Sequence, residues 1–365
     1  MGGERIRSIP VSGKNQPGPG GRPAQSFGLM ADRHMRAFIT GGSGFIGGHL
    51  IESLVGRGFE VRALFHHSPL RPNDKVETVQ GDICDKERLS RALKGTDILF
   101  HLASALGSSA IGRDEFRRIN ALGAENVLES ARSAGVGRAV HLSSAGVFGA
   151  VRKGEIAAES TPPKPITVYD KTKLEGEETA LRFAREGLDV VVVRPGWAYG
   201  PGDARTLKLI KAVGSGRFIM ATRGRGFQTP VYVDDLVKGI LLAGEKGKRG
   251  EVYHLAGGEI MTVRNMVDAI AAACGRKPTR FYLPLLPARL AAFLLEKAFA
   301  PMHREPPLSR SKLSFFIHSK PLAIDKAKRE LGYAPEVDFR SGMARTVSWY
   351  RSQGWLPPAP GHDPS

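Results

Sequence analysis

A tyrosine and a lysine four residues apart, Tyr169 and Lys173 in the run Val168-Tyr169-Asp170-Lys171-Thr172-Lys173-Leu174, offer a proton-transfer pair. Residues so spaced share one face of a helix, one turn above the other. A free tyrosine titrates near pH ~10 and is a poor base at neutrality. A fixed ammonium beside it favours the phenolate and brings it into range for acid–base work. Far upstream, Thr40-Gly41-Gly42-Ser43-Gly44-Phe45-Ile46-Gly47 places Gly42, Gly44 and Gly47 in the G-x-G-x-x-G spacing. Gly41, Gly44 and Gly47 satisfy the related G-x-x-G-x-x-G. Such glycines permit a tight turn and let the backbone approach a pyrophosphate, which then rests at a helix N-terminus. Between the two motifs lies Ser143-Ser144. The three together read as a dinucleotide site with its own acid/base apparatus.

The elements that must position these residues are visible as well. Residues 35–40 are a short apolar run suited to a buried strand, and Ile46, Leu50, Leu54 and Val55 then recur at helical spacing. Residues 60–65 form a second strand, and Phe65 stands where an acidic residue normally binds the adenosine ribose hydroxyls. His66 and His67 follow, with Arg62 and Arg71 nearby. No carboxylate repels a 2′-phosphate there, so the reading is NAD(P), with NADP slightly favoured over NAD. Further strands are predicted over 76–83, 97–103, 138–144 and 188–194, with one helix over 115–134 and another carrying Tyr169. Near-continuous apolar strands separated by helices indicate a parallel sheet covered on both faces. Ligands of such sheets bind beyond the carboxyl ends of the strands, where Ser144 and Arg194-Pro195-Gly196 lie.

Composition narrows the class. The chain has 365 residues, 41% of them hydrophobic, enough to bury one large core or two unequal ones. Cys84 and Cys274 lie far apart, with no ligand-spaced partner, so neither a disulfide framework nor a metal site is expected. The net charge of +17 raises the question of nucleic acid, but the basic residues are dispersed and no aromatic-interleaved basic stripe exists. The apolar stretch over 281–301 contains Arg289, Glu296 and Lys297 and is broken by Pro284 and Pro287, which makes it a poor membrane span. It leaves room for a helix touching a hydrophobic ligand or, weakly, a membrane surface. Residues 1–34 are rich in Gly and Pro, without periodicity or an apolar signal-peptide core, and are read as a tail or start-site artefact outside the fold. A cytoplasmic location is expected.

With these residues in hand, the chain from about 36 to 356 resembles the extended short-chain dehydrogenase/reductase superfamily, of the NAD(P)-dependent epimerase/dehydratase type. The resemblance rests on the glycine loop, Gly81-Asp82-Ile83, His101-Leu102-Ala103-Ser104, Asn120, the serine strand 142–149, the segment 194–202 and Pro230-Val231-Tyr232-Val233-Asp234-Asp235-Leu236. It implies an α/β fold: a doubly wound parallel Rossmann sheet with a smaller C-terminal α/β substrate domain. The dinucleotide-binding domain is expected over 35–195, with 229–256 returning to it, and the substrate domain over 196–228 and 257–358. Ser144, Tyr169, Lys173 and Asn120 become the implied catalytic set. Tyr169 exchanges a proton with a substrate oxygen, Lys173 lowers its pKa and holds the nicotinamide ribose, and Ser144 binds the reacting oxygen. The implied cofactor contacts are Gly41, Gly44, Phe45, Ile46, Gly47, Arg62, His66, Asp82, Ile83, Ala103, Ser104, Tyr169, Lys173 and Pro195. Ser144, Phe148, Tyr169 and Trp197 are the implied substrate contacts.

The segment after Cys274 lacks the Arg-x-x-Asp-like grip that nucleotide-sugar members use on a diphosphate. Residues 322–335 and 346–350 are instead similar to the branch of 3β-hydroxysteroid dehydrogenases and dihydroflavonol reductases. An oxidoreductase for a small hydrophobic hydroxy or keto compound is therefore expected, its pocket walled in part by residues from 283–295. A nucleotide-sugar 4-epimerase or dehydratase is the second reading. A non-catalytic NAD(P)-binding sensor or scaffold is the third, and retention of Ser144, Tyr169 and Lys173 weighs against it. No nucleic-acid partner is expected, and a homodimer is compatible with the chain.

Overall fold

The computed structural model describes residues 35–358 apart from 71, 107–111, 217, 279–280 and 300–305. The chain begins with β1 (Arg36–Thr40), α1 (Phe45–Gly56), β2 (Glu60–Phe65) and β3 (Val76–Gln80). Next come α2 (Lys86–Ala92), β4 (Ile98–His101), α3 (Arg113–Arg117), α4 (Gly123–Ser133), β5 (Arg138–Leu142), α5 (Val168–Arg185) and β6 (Val190–Pro195). Then follow β7 (Trp197–Tyr199), α6 (Ala204–Gly214), β8 (Met220–Ala221), β9 (Phe227–Gln228), β10 (Pro230–Tyr232), α7 (Val233–Lys246) and β11 (Val252–Leu255). The remainder is β12 (Met261–Thr262), α8 (Val263–Ala273), β13 (Tyr282–Leu283), α9 (Leu285–Phe299), α10 (Arg310–Ile317), α11 (Asp325–Leu331) and α12 (Phe339–Ser352).

Seven strands form one parallel sheet in the order β11-β6-β5-β4-β1-β2-β3. The order reverses beside β1, and the chain runs outward from there in both directions, which makes the sheet doubly wound. Alternate side chains of each strand go to opposite faces. On one face Ile39, Phe100, Val140 and Val193 pack with Leu50 of α1 and Leu236 and Ile240 of α7. On the other, Phe38, Leu99, Ala139 and Val192 pack with Leu89 of α2, Val127 of α4 and Phe183 of α5. Two covered faces explain the runs of apolar residues without polar alternation.

A third cluster lies outside this sheet. Tyr199, Ile210, Met266, Ile270, Met343 and Tyr350 join β7, α6, α8 and α12. Three two-stranded pairs, β7 with β10, β9 with β12 and β8 with β13, tie the later segments together. The stretch 229–256 supplies β10, α7 and β11, and β11 lies on the large sheet beside β6.

The helix predicted over 115–134 is interrupted. Between α3 and α4 the backbone takes one π-helical turn, Arg118–Leu122, carrying Asn120. Its cause is tertiary. The Asn120 carboxamide accepts from Ala105 N (2.7 Å) and Ser104 Oγ (3.0 Å), and its Nδ2 donates to Ala105 O and to Thr172 Oγ1 of α5. Among the described residues, no helix is long and apolar enough to cross a membrane.

Candidate active site

The cofactor loop is defined by what its glycines exclude. Gly41 has φ +76°, and a Cβ there would lie 2.7 Å from Ala103 N at the end of β4. A Cβ on Gly47 would lie 2.8 Å from the Gly42 Cα and closer still to Gly41 O. Loop, helix and neighbouring strand thus meet backbone to backbone. Gly44 is the N-cap of α1 with no side-chain cap, and the first turn carries no acidic residue. Its amides are left for an anion, which the helix dipole also favours. A nicotinamide dinucleotide fits this cradle. Phe45 and Ile46 start α1 half-buried, Ala103 donates its N–H to Thr40 Oγ1 (3.2 Å), and Pro195 closes β6 beside Leu255.

At the far end of the sheet Phe65 pairs with Gln80 across β2 and β3. The His66 ring lies against that of His67, centres 3.6 Å apart and tilted by 40°, and its Nε2 faces Asp82 Oδ2 at 3.7 Å. Partial burial pushes the Asp82 carboxyl up, but the Cys84 N–H and the Arg118 guanidinium hold it below the usual carboxylate range. Arg118 also makes a two-pronged contact with Glu115. It is a cation beside Asp82 that no motif announces.

Arg62 is engaged elsewhere. Its guanidinium binds Glu77 at 2.8 Å and donates to the carbonyl oxygens of Ala92 and Lys94 at the end of α2. Mid-strand on β2, opposite Glu77, it is committed to structure, and the expected phosphate contact is withdrawn. Arg71 lies outside the described residues. The Ile83 side chain is also turned away, buried against α4, where a Cβ on Gly123 would strike it. Ser104 and Asn120 hydrogen-bond to each other, so both hydroxyl and carboxamide serve to join β4 to α5.

Tyr169 and Ser144 do meet. Thr167 caps α5 in a reciprocal capping box with Asp170, which fixes the first turn where Tyr169 stands. Ser144 follows β5, and its Oγ accepts from Gly146 N at 3.0 Å, holding the turn over Ala145–Phe148. The same hydroxyl stands by the Tyr169 phenol and acts to lower its pKa. Burial raises the phenol above its ordinary pKa, against the opposing effects of the Ser144 hydroxyl and the Arg205 charge. Burial thus disfavours the phenolate and favours the neutral phenol. The cation acting on it here is Arg205, held by Asp203 Oδ1 at 3.1 Å at the start of α6.

Lys173, expected to play that part, has its Nζ on Leu142 O at 2.6 Å, at the end of β5. Burial pulls it down to about 8, with the Glu177 charge opposing. Beneath it lies a polar layer. Glu177 accepts from Ser143 Oγ and from both prongs of Arg194. His101 and His141 sit side by side, held neutral by burial and by the Lys173 charge, His101 at about 3.

Two expected substrate contacts pack against other side chains. Phe148 is buried beneath the Arg194 guanidinium, 4.9 Å from ring to cation, and edge-on to His254. Trp197 is half-buried, stacked on Tyr199 at 5.8 Å and packed near Phe315 and Phe339. The stretch 283–295 is mostly outward-facing, with Ala288 and Ala292 turned in.

This architecture has known counterparts. The family model described as NAD dependent epimerase/dehydratase family matches residues 37–256. The 4-hydroxy-2-methyl-3-oxo-4-farnesyl-3,4-dihydroquinoline-1-oxide ketoreductase of Stigmatella aurantiaca is 36% identical over 85% of this chain and 95% of its own. Sterol demethylase protein B of Methylococcus capsulatus is 31% identical over 88% of this chain and 100% of its own. Among solved structures, a dTDP-glucose 4,6-dehydratase from Streptomyces venezuelae with NAD bound superposes with a TM-score of 0.73. It is 30% identical and covers 89% of this chain and 100% of that one.

Proposed function

Because the chain belongs to the NAD dependent epimerase/dehydratase family of the extended short-chain dehydrogenase/reductase superfamily, and is thus an NAD-dependent oxidoreductase of that type, we propose that it reduces the carbonyl of a small hydrophobic ketone, or oxidises the matching alcohol. The observation that carries this reading is the capped start of α5, which sets the Tyr169 phenol beside the Ser144 hydroxyl at the end of β5. When bound, the nicotinamide supplies or accepts the hydride at the substrate carbon. Tyr169 gives its proton to the substrate oxygen as that oxygen gains charge, and takes it back in the reverse direction. Ser144 turns its hydroxyl to the same oxygen and stabilises the charge. Lys173, fixed at the end of β5, is the cation assigned to the nicotinamide ribose. Asn120 and Ser104 position α5 rather than touch substrate.

The hydrophobic substrate class draws on two supports. Relatives named for a farnesyl-bearing ketone and for sterol demethylation match along most of the chain. The segment after Cys274 lacks the Arg-x-x-Asp-like motif with which nucleotide-sugar members grip a diphosphate. NADP is proposed to bind at least as well as NAD, since Phe65 carries no charge to repel a 2′-phosphate and His66 and His67 stand at the strand end. We assign substrate binding to 196–228 with 257–358, and cofactor binding to 35–195 with 229–256.

Nicotinamide-fluorescence titration, followed by turnover assays on sterol-like ketones and alcohols and on UDP- and dTDP-hexoses, tests the reading. Activity on the hydrophobic carbonyl set supports it. Efficient epimerisation or dehydration of a nucleotide hexose alone overturns the substrate class. Cofactor binding with no turnover of any kind points to the sensor reading. Tighter binding of NADH than NADPH overturns the cofactor preference.

A further inference from the structure

An ordinary surface helix turns its apolar stripe inward and its polar face to water. Helix α9 does the reverse. Ala288 and Ala292, both fully buried, form its inner face, and Ala288 packs with Leu313, Phe316 and Ile317 of α10. Glu296, largely covered, holds Arg310 at 2.7 Å. The outer face carries Leu286, Leu290, Phe293 and Leu294, at 77%, 59%, 42% and 55% exposure. Positions 286, 290, 293, 294 and 297 share one side of a helix. Among the described residues, seven of the fifteen exposed large apolar side chains fall between Phe281 and Leu294. Scattered exposed leucines need no explanation, but a contiguous patch marks an interaction surface.

Cations are interleaved with the patch. Lys297 lies 5.1 Å from the Phe293 ring, and Arg223 lies 5.1 Å from the ring of Tyr282 just before α9. Arg289 and Lys277 are exposed as well, and the whole molecule carries +17. Exposed apolar side chains flanked by basic ones match the boundary between lipid headgroups and acyl chains. A 15-residue helix is about 22 Å long, too short to cross a hydrocarbon core of ~30 Å, and suited to lying along it.

Helix α10, under α9, runs on to His318, Ser319 and Lys320, and Lys320 Nζ reaches Asp170, beside Tyr169, at 3.8 Å. We propose that the outward face of α9 docks the protein on an anionic lipid bilayer, with Leu286, Leu290, Phe293 and Leu294 entering the interface and Arg289 and Lys297 meeting the headgroups. The inference stands on the surface alone and survives or fails independently of the chemistry assigned to Tyr169.

The test is co-sedimentation of the full chain with vesicles of phosphatidylcholine, with and without phosphatidylglycerol. Binding is expected on the anionic vesicles, about tenfold weaker on phosphatidylcholine alone, and weakened by salt. The double change Leu290→Ser, Phe293→Ser should weaken it by a further tenfold or so without altering the melting temperature, because both side chains are already in water. Arg289→Gln with Lys297→Gln should weaken it several-fold while leaving uncharged-lipid binding unchanged. Failure to bind anionic vesicles overturns the proposal, as does binding indifferent to the α9 changes. A solution dimer that the Leu290→Ser, Phe293→Ser protein no longer forms would also overturn it, by assigning the face to a second copy of the chain.

Discussion

At the scale of single residues, the site divides into groups that face the reaction and groups that hold them. Glu177 belongs to the second kind. It is buried with Arg194, from which it accepts two hydrogen bonds, and it accepts a third from Ser143 Oγ. Removing one partner of such a pair strands the other charge in the interior. Glu177→Gln should therefore lower unfolding free energy by about 3–5 kcal/mol, measured by urea denaturation. Arg62 gives a contrasting expectation. Its commitment to Glu77 and the end of α2 means that Arg62→Ala should cost stability and leave the ratio of NADPH to NADH affinities unchanged. Paired titrations of the variant check this, and a selective loss of NADPH affinity would restore Arg62 to the cofactor site. Neither its partners nor Arg205 beside Tyr169 could be read from spacing, because both contacts join segments distant in sequence.

At the scale of elements, the glycine loop works only if backbone can touch backbone. Gly41→Ala adds a methyl 2.7 Å from Ala103 N in a left-handed conformation that L side chains rarely adopt. Cofactor affinity should fall at least about tenfold, a loss of ~1.4 kcal/mol, while the catalytic helix α5 stays in place. A fluorescence titration showing wild-type affinity would contradict the cradle. This loop was legible in the sequence because strand, glycines and helix appear in order, and β5 and β6 were legible because strands covered on both faces are apolar throughout. The π-helical turn was not. Residues 115–134 carry a continuous helical pattern, and the break depends on Asn120 finding Ala105 and Thr172 in space. Helix α9 was legible as apolar but not as inverted, since composition alone does not say which face the alanines of 288 and 292 would bury.

At the scale of the whole molecule, buried histidines couple stability to pH. Burial, aided by the nearby Lys173 charge for His101 and the Arg194 charge for His254, lowers both to about 3. The unfolded chain binds protons at these positions below about pH 6.5, whereas the folded protein stays neutral down to about pH 3. The unfolded state thus holds more protons in that window, so stability falls as pH drops from 6.5 toward 3. Each group contributes a slope approaching ~1.4 kcal/mol per pH unit. Urea midpoints measured across that range should decline, and His254→Gln should flatten the decline. Lys173 adds a rise at the other extreme. Folded, it releases its proton near 8, and unfolded near 10.5, so stability climbs between the two values.

The central claim is that the phenol of Tyr169, beside Ser144, is the proton donor to a carbonyl, and that the glycine loop binds the dinucleotide without it. Tyr169→Phe separates the two most directly, with cofactor affinity read by nicotinamide fluorescence and turnover by the absorbance of the reduced nicotinamide. The account predicts affinity within about twofold of wild type and turnover reduced by about a hundredfold to ten-thousandfold. A variant that kept a tenth of the wild-type kcat would have lost only ~1.4 kcal/mol, too little for an essential acid, and would contradict it.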